Sequence, residues 1–214
     1  MKAGILGTGM VGEALASKLV ELGHDVMMGS RLAGNSKAAA WVDKVRGKGR
    51  QGTFAEAAAH GEIVINATAG DVSLEALKLA GAKNLDGKIL IDVANPLDFS
   101  KGMPPTLSIS NHDSLGEAIQ RAFPDVKVVK TFNTMACAVM VNPGLVPGDH
   151  DIFVSGNDDD AKAEVIGLLN SFGWKQPIDL GGISTARGTE QLLPIWLRLW
   201  GKLGTPQFNF KIVK

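Results

Sequence analysis

The sequence begins with a glycine-rich segment that could hold a phosphate group. Gly7, Gly9 and Gly12 form the pattern GxGxxG within residues 7–12 (GTGMVG), directly after a short apolar run. In a strand–loop–helix unit, the first glycine permits a tight turn and the second lets a pyrophosphate approach the backbone. The third lets the helix pack against the strand, and the helix N-terminus offers N–H groups to the anion. The segment therefore predicts dinucleotide binding.

The end of the second predicted strand indicates which dinucleotide binds. An acidic residue about 20 positions after the glycine loop typically binds the ribose 2′-hydroxyl of NAD. Here Asp25 lies at the start of that strand, and Ser30 and Arg31 follow its end. A hydroxyl can donate to a 2′-phosphate and an arginine can grip it with two N–H groups, so we predict NADP. Further candidate contacts follow at a helix start: Asn35, Ser36 and Lys37.

Three later strands are predicted to end beside the same ligand, because ligands lie at the carboxyl ends of parallel strands. Residues 66–69 are small, residues 92–96 would flank the nicotinamide, and residues 131–135 would reach the same place. Asn133 could hydrogen-bond a carboxamide or a substrate carbonyl, whereas turn formation is the alternative role for Asn95 and Asn133. The candidate contacts are Ala67, Thr68, Ala69, Ala94, Asn95, Pro96, Asn133 and Met135.

The chain offers no strong general acid. It contains no tyrosine, which excludes the Tyr–Lys dyad of short-chain dehydrogenases. The four histidines lack ligand spacing, so no metal site is predicted, and His112 is expected to be an exposed loop residue. Cys137 is expected to be a small buried core residue. A hydride acceptor that needs little acid–base help, such as a flavin or deazaflavin, would suit such a site.

These residues must be positioned by alternating strands and helices, a pattern typical of parallel βαβ units with helices on both faces. We therefore predict an α/β fold, a doubly wound Rossmann sheet with a small C-terminal α/β extension. Residues 93–113 are predicted to form a long functional loop. One long helix is expected over residues 185–202, and the tail FNFKIV could add an edge strand. We place a soft domain boundary near residue 135.

Composition excludes several classes of partner. The formal net charge is zero and no long basic run occurs, so no nucleic-acid partner is expected. The apolar stretch LLPIWLRLWGKLG is shorter than the ~20 residues of a membrane span and is broken by charges, so no membrane contact is expected. Cys137 is the single cysteine, which precludes an intramolecular disulfide and fits a reducing compartment. No signal peptide is recognised before the first strand, and a cytoplasmic location is expected.

Several motifs together resemble the coenzyme F420-dependent NADP oxidoreductases. They are GTGMVG, GSR, NATAG, VKTFNTM, VSGNDDDAK and the C-terminal LLPIWLRLWGKLGTPQFNFKI. The resemblance spans nearly the whole chain, and the FNT and C-terminal motifs are more specific than the glycine loop. The NADPH-binding domain of the STEAP metalloreductases is similar around GSR and FNT.

The resemblance implies an NADP-binding Rossmann domain (residues 1–135) and a small C-terminal part (residues 136–214). It implies that the nicotinamide lies near Ala69, Ala94 and Asn133, and that a second coenzyme occupies a cleft between the two parts. Where members that use F420 often have Ile-Pro after the sixth strand, this chain has residues 133–135 (NTM), so FMN or FAD stays open beside F420. The residues that would hold NADP are Thr8, Met10, Val11, Ser30, Arg31 and Lys37.

We thus predict an NADPH-dependent oxidoreductase that passes hydride to a flavin-like or deazaflavin acceptor, with Asn133 orienting the rings, and a homodimer. Arg187 and Glu190 could contact the acceptor or a second subunit, or form a surface ion pair. Trp196 and Trp200 share a helix face and are expected in the core or at a dimer interface, and stacking on a ligand ring is the alternative. The alternatives are a dehydrogenase of the hydroxyacid or pyrroline-carboxylate reductase type, and a non-enzymatic NADP sensor.

Overall fold

A computed structural model describes residues 1–214 as ten strands and ten helices. The strands are β1 (Lys2–Leu6), β2 (Asp25–Ser30), β3 (Gly49–Thr53), β4 (Ile63–Asn66), β5 (Ile89–Asp92), β6 (Leu97–Asp98), β7 (Thr106–Leu107), β8 (Lys127–Lys130), β9 (Phe153–Gly156) and β10 (Ile178–Asp179). The helices are α1 (Met10–Glu21), α2 (Ser36–Lys44), α3 (Phe54–His60), α4 (Ser73–Ala80), α5 (Ala82–Leu85), α6 (Leu115–Ala122), α7 (Cys137–Val141), α8 (Asp159–Ser171), α9 (Ala186–Gln191) and α10 (Leu193–Leu203). None of these helices combines the length and apolarity that a membrane crossing requires.

Eight strands form one sheet in the order β10-β9-β8-β5-β4-β1-β2-β3. Six neighbouring strands of this sheet, β8, β5, β4, β1, β2 and β3, are parallel to one another, in the order of a doubly wound dinucleotide-binding fold. The predicted Rossmann fold is therefore confirmed. β9 pairs antiparallel with β8, and β10 parallel with β9, so the C-terminal part extends the same sheet. The boundary predicted near residue 135 falls between β8 and α7 and stays a prediction.

The central strands are buried on both faces, as their apolar sequences require. Every residue of β4 (IVIN) and β5 (ILID) is buried. Alternate side chains enter two apolar clusters: Ile63 and Ile65 join the cluster under α1 and α8, whereas Val64 joins the cluster under α3, α4 and α6. Continuous apolar strands are typical of a parallel sheet covered by helices on both sides. The switch in strand order at β1 and β4 leaves a crevice at their carboxyl ends.

Two C-terminal predictions are wrong. The single helix expected over residues 185–202 is two helices that meet at Leu192, because Pro194 in the first turn of α10 has no N–H to continue the ladder. The tail FNFKIV forms no strand. Instead, its backbone is fixed by Asp151, whose N–H donates to the Phe210 carbonyl (2.9 Å) and whose carboxylate accepts the Ile212 N–H (2.6 Å).

The loop predicted over residues 93–113 has more structure than its composition indicates. β6 and β7 form a two-residue antiparallel hairpin within it. The Pro96 carbonyl accepts the N–H of Ser108 at 2.8 Å and its hydroxyl at 3.2 Å, which closes the base of this hairpin. The hairpin follows directly from the end of β5, so the loop stands over the carboxyl edge of the sheet.

Candidate functional site

The glycine loop joins β1 to α1, and its three glycines meet different constraints. Gly7 has φ +121°, and a Cβ there would lie 2.5 Å from the Ala67 carbonyl oxygen. A Cβ on Gly12 would lie 2.2 Å from the Gly7 carbonyl oxygen. A Cβ on Gly9 would meet no atom within 4 Å. Gly7 and Gly12 are therefore required by packing, whereas Gly9 leaves open space in front of the helix.

That open space lies at the N-terminus of α1. Gly9 is the N-cap and supplies no side-chain bond, and the first helical bond runs from the Glu13 N–H to the Gly9 carbonyl (2.9 Å). The N–H groups of Met10, Val11 and Gly12 therefore have no protein partner. Free N–H groups beside an open space fit a pyrophosphate, since the helix dipole also favours an anion there.

The end of β2 lies close to this loop, because the Gly7 N–H donates to the Gly29 carbonyl at 3.0 Å. Ser30 is buried and its hydroxyl donates to the Leu32 carbonyl at 2.6 Å. The Arg31 side chain is exposed, forms no ion pair, and borders a small hollow with Leu79 on α4. This position suits a 2′-phosphate and an adenine ring, because the Arg31 guanidinium forms no ion pair with the protein and could bind the phosphate or stack on the ring.

The three candidates after Arg31 have different environments. The Asn35 side-chain oxygen accepts the N–H groups of Lys37 (3.0 Å) and Ala38 (3.2 Å), so it caps α2. Ser36 and Lys37 are exposed in the first turn of that helix. Asp25 lies at the opposite end of β2, as its position in the sequence indicates. It forms an ion pair with Arg50.

A cavity of about 330 Å³ opens at the carboxyl ends of β4 and β5. Eight predicted contacts line it: Val11, Ala67, Thr68, Ala69, Ala94, Asn95, Asn133 and Met135. The hairpin loop adds Leu97 and Phe99, and α10 adds Leu193 and Trp196. Asp71 is the one charged residue in its wall, and no lysine, arginine or histidine lines it. The cavity is thus suited to a largely apolar, uncharged ring.

Asn95 and Asn133 brace each other at the cavity wall. The Asn95 side-chain N–H donates to the Asn133 backbone carbonyl at 2.8 Å, and the Asn133 amide donates to the Asn95 side-chain oxygen at 3.0 Å. Phe132, before Asn133, is buried with φ +65°, an unusual conformation for a bulky residue. This kink turns Asn133 to the cavity, where its side-chain oxygen and second N–H have no protein partner.

Beneath this wall lies a fully buried cation that sequence reasoning missed. The Lys130 Nζ lies 2.8 Å from Asp92 Oδ2 and 2.8 Å from Glu190 Oε1, and it donates to the Ala94 carbonyl. Burial would lower the pKa of Lys130, but the two carboxylates outweigh burial and raise that pKa. Asp92 and Lys130 are paired across β5 and β8. The feature of the sequence that could have revealed this pair is the opposite charge of Asp92 and Lys130, which end two neighbouring strands.

Glu190 extends the network into the C-terminal part. Its carboxylate accepts the N–H groups of Leu115 (2.8 Å) and Gly116 (3.1 Å) at the N-terminus of α6. Arg187 binds Glu117 through two hydrogen bonds and does not pair with Glu190. The surface ion pair considered between Arg187 and Glu190 is therefore wrong, since Glu190 is 1% exposed and faces Lys130.

Asp92 also connects both walls of the crevice. Its Oδ1 accepts the Asn66 side-chain N–H at 2.8 Å and the Ala94 N–H at 3.3 Å. Asn66 in turn accepts the Thr68 hydroxyl at 2.7 Å. The backbone of Ala94 is thus held at both its N–H and its carbonyl.

The other candidates lie outside this network. His112 is exposed, as expected. Cys137 packs against the core from α7 but is only half-buried and lines an outer groove with the exposed Met10 side chain, so the buried position expected for it is wrong. Of the two tryptophans predicted to share a helix face, Trp196 is 7% exposed and lines the cavity, whereas Trp200 is 41% exposed.

Comparisons with known proteins find a matching family and several similar proteins. The model of the family described as NADP oxidoreductase, coenzyme F420-dependent, matches residues 2–96. The F420-dependent NADP reductase of Methanocaldococcus jannaschii is 31% identical over 93% of this chain and 92% of its own. Metalloreductase STEAP3 of Rattus norvegicus is 32% identical over 91% of this chain but only 38% of its own. A crystal structure from Arthrobacter sp. FB24, described as a candidate F420-dependent NADP reductase, has TM-score 0.94 at 54% identity, covering 100% of this chain and 99% of that one.

Proposed function

The chain belongs to the coenzyme F420-dependent NADP oxidoreductase family, and we propose that its hydride partner for NADP(H) is a deazaflavin or flavin ring. As a member of this family the chain is an NADP-dependent oxidoreductase. Family membership therefore favours this enzymatic activity over the non-enzymatic NADP sensor that was an alternative from the sequence alone. What the proposal adds is the acceptor, the place where it binds and the residues that hold it.

The observation that carries the proposal is the chemistry of the 330 Å³ cavity. Its wall is mostly apolar, and Asp71 is its one titratable group. A flavin or deazaflavin ring is flat and has no carboxylate or phosphate of its own. It accepts hydride with little help from a protein acid, because the negative charge that the hydride brings is delocalised over the ring. Positioning two rings face to face then supplies most of the catalysis.

The chain's own residues divide the binding task. The free N–H groups at the start of α1 bind the pyrophosphate, and Arg31 binds the 2′-phosphate. Ala69 and Ala94 provide flat, small surfaces beside the nicotinamide, and Asn133 hydrogen-bonds one of the two rings from the cavity wall. When bound, NADPH supplies the hydride. The hairpin loop and α10 supply apolar side chains to the cavity wall, which limit the access of water to the rings.

The same cavity argues against a small-molecule dehydrogenase for hydroxy acids or cyclic imino acids. Such substrates carry a carboxylate, which needs a cation or several N–H donors when it leaves water. No cationic side chain lines the cavity, and Lys130 lies buried beneath its wall with both carboxylate partners in place. A carboxylate would also be repelled by Asp71.

Stopped-flow oxidation of NADPH, with F420, FMN and FAD offered in parallel, tests the proposal. We expect single-turnover reduction of at least one of these rings, and none of a hydroxy-acid or cyclic-imine panel. Asn133→Ala should slow the hydride step while leaving NADPH affinity within about twofold. Robust turnover of a carboxylate substrate, with no ring reduced, would overturn the proposal.

The homodimer expected from the sequence is also proposed here. Ile195, Trp200 and Leu203 of α10 are 46%, 41% and 54% exposed, an apolar surface that a second copy would cover. Light scattering after size exclusion should give twice the 22.5 kDa chain mass. Leu203→Lys should shift the protein to a monomer.

A further inference from the structure

The cavity carries one charge that no group of the protein balances. Asp71 is the one charged residue in its wall, and its side chain is exposed and forms no ion pair or hydrogen bond with the protein. The wall is otherwise largely apolar and includes no cation. A single carboxylate in such a wall makes the electrostatic potential inside the cavity negative.

The backbone of Asp71 is held at a fixed place on this edge of the sheet. Asp71 is the middle residue of a short 3₁₀ turn, Gly70–Val72, in which the Val72 N–H donates to the Ala69 carbonyl at 3.1 Å. Gly70 packs so closely on the loop after β5 that a Cβ on it would collide with the Asn95 carbonyl oxygen. The carboxylate therefore belongs to the part of the wall that lies between the ends of β4 and β5.

The buried charges beneath the wall do not cancel this carboxylate. Lys130 is shared between two buried carboxylates, Asp92 and Glu190, each 2.8 Å from its Nζ. One ammonium with two carboxylates has a formal charge of −1, which the N-terminus of α6 partly offsets through its N–H groups. The Ala94 carbonyl, which accepts a hydrogen bond from Lys130, joins this network to the wall. The network thus adds to the negative potential that Asp71 produces.

A nicotinamide ring is the part of NADP(H) that responds to such a potential. The ring is neutral in NADPH, and it becomes a cation when hydride leaves it with its electron pair and passes to the acceptor ring. A nearby carboxylate stabilises the cation and has little effect on the neutral ring. The phosphate groups are the same in both forms, so their repulsion by the carboxylate cancels when the two affinities are compared.

We propose that Asp71 strengthens the binding of NADP⁺ relative to NADPH, and so lowers the reduction potential of the bound couple and favours hydride transfer from the nicotinamide to the acceptor. This rests on the proposed function, which places the nicotinamide beside Ala69 and Ala94. Asp71 acts through its charge and transfers no proton.

Asp71→Asn tests the effect, because it removes the charge and keeps the size of the side chain. Asp71→Glu keeps the charge. Asp125→Asn is the matched control, since Asp125 is also exposed but precedes β8 at the opposite edge of the sheet. NADP⁺ and NADPH are titrated separately into each protein by calorimetry, with no acceptor present, and the ratio of the two dissociation constants is compared.

We expect Asp71→Asn to reduce the preference for NADP⁺ over NADPH by roughly 3- to 10-fold, the range for opposite charges a few ångströms apart beside water. For a two-electron couple this corresponds to a rise of about 14–30 mV in the potential of bound NADP(H). Asp71→Glu and Asp125→Asn should both keep the wild-type ratio within about twofold.

Three results would overturn the inference: an unchanged ratio in Asp71→Asn, an equal change in Asp125→Asn, or a ratio in Asp71→Glu that matches Asp71→Asn. Since no acceptor is present, these titrations are independent of the ring that receives the hydride. A lowered preference in Asp71→Asn, in a protein that reduces no flavin or deazaflavin, would support this inference and overturn the proposed function. An unchanged ratio in a protein that reduces such a ring would overturn the inference alone.

Discussion

Lys130 and Glu190 form an ion pair of 2.8 Å inside the protein, with their side chains 0% and 2% exposed. The pair joins the last parallel strand of the dinucleotide-binding part to helix α9 of the C-terminal part. Lys130 also holds the Ala94 carbonyl, and Glu190 lies three residues before Leu193 in the cavity wall. One ammonium group thus fixes both sides of the cavity.

Lys130→Met should destabilise the protein by about 3–5 kcal/mol, because it leaves two buried carboxylates without their cation. The control is Lys44→Met, which breaks the exposed 2.6 Å pair with Glu13 and should cost about 0–1 kcal/mol. Urea denaturation followed by circular dichroism measures both. A loss below about 1 kcal/mol for Lys130→Met would mean that the carboxylates are relieved in another way.

Arg31→Ala should weaken NADPH binding by about 1.5–3 kcal/mol, the range for hydrogen bonds to a charged group. NADH lacks the 2′-phosphate, so its affinity should barely change. Calorimetric titration of both dinucleotides into each protein separates the effects. Equal weakening of the two would contradict the role of Arg31 at the 2′-phosphate.

Gly9→Ala and Gly12→Ala should separate binding from folding. A Cβ on Gly9 enters open space, so the unfolding free energy should change by less than about 0.5 kcal/mol. That methyl group should instead obstruct the pyrophosphate and weaken NADPH binding by roughly tenfold, or about 1.4 kcal/mol. A Cβ on Gly12 meets the Gly7 carbonyl oxygen at 2.2 Å, so overpacking should cost about 1–3 kcal/mol of stability. Similar stability losses in both variants would refute this division.

Arg187 should make the unfolding free energy of the protein depend on pH in the acid range. Its hydrogen bonds hold the pKa of Glu117 below the ordinary value of 4.5, although burial opposes this. A carboxyl whose pKa is lowered by folding stabilises the protein above its unfolded pKa and loses that contribution as pH falls through its folded pKa. The stability difference between wild type and Arg187→Gln should therefore be largest near neutral pH and shrink below about pH 4.5. Denaturation from pH 7 to pH 3 measures it, with Lys18→Gln, which breaks an exposed pair with Glu21, as the control. A difference that does not vary with pH would exclude Glu117 as its source.

Local sequence patterns were enough to predict the glycine loop and the strands around it. A few consecutive residues are enough to recognise the glycine loop, the buried strands and the end of β2, because turn geometry and apolar periodicity are local properties. The residues that line the cavity from β4, β5 and β8 followed from the rule that strand ends meet at one edge. Asn95 and Asn133 were candidates on that basis. Their mutual hydrogen bonds account for a structural role, and the ligand role of Asn133 stays a proposal.

The rest depends on contacts between distant segments. Lys130 and Asp92 are 38 positions apart, and neither the lysine nor the acid reveals its partner without the strand order. Glu190 looked like a surface residue because Arg187 is one helical turn away, yet α9 turns it to the interior. Trp196 and Trp200 were equivalent by spacing, and what distinguishes them is Phe208, supplied by a tail that was predicted to be a strand.

The shared use of Glu190 has a consequence for the evolution of this architecture. A part that carries a buried charge can be recombined with another part only if that other part supplies the opposite charge. Lys130 and Asp92 neutralise each other within the dinucleotide-binding part, whereas Glu190 brings a further buried carboxylate from the C-terminal part and also caps α6. A different dinucleotide-binding part would have to place a cation at the position of Lys130, because otherwise Glu190 would be buried without one.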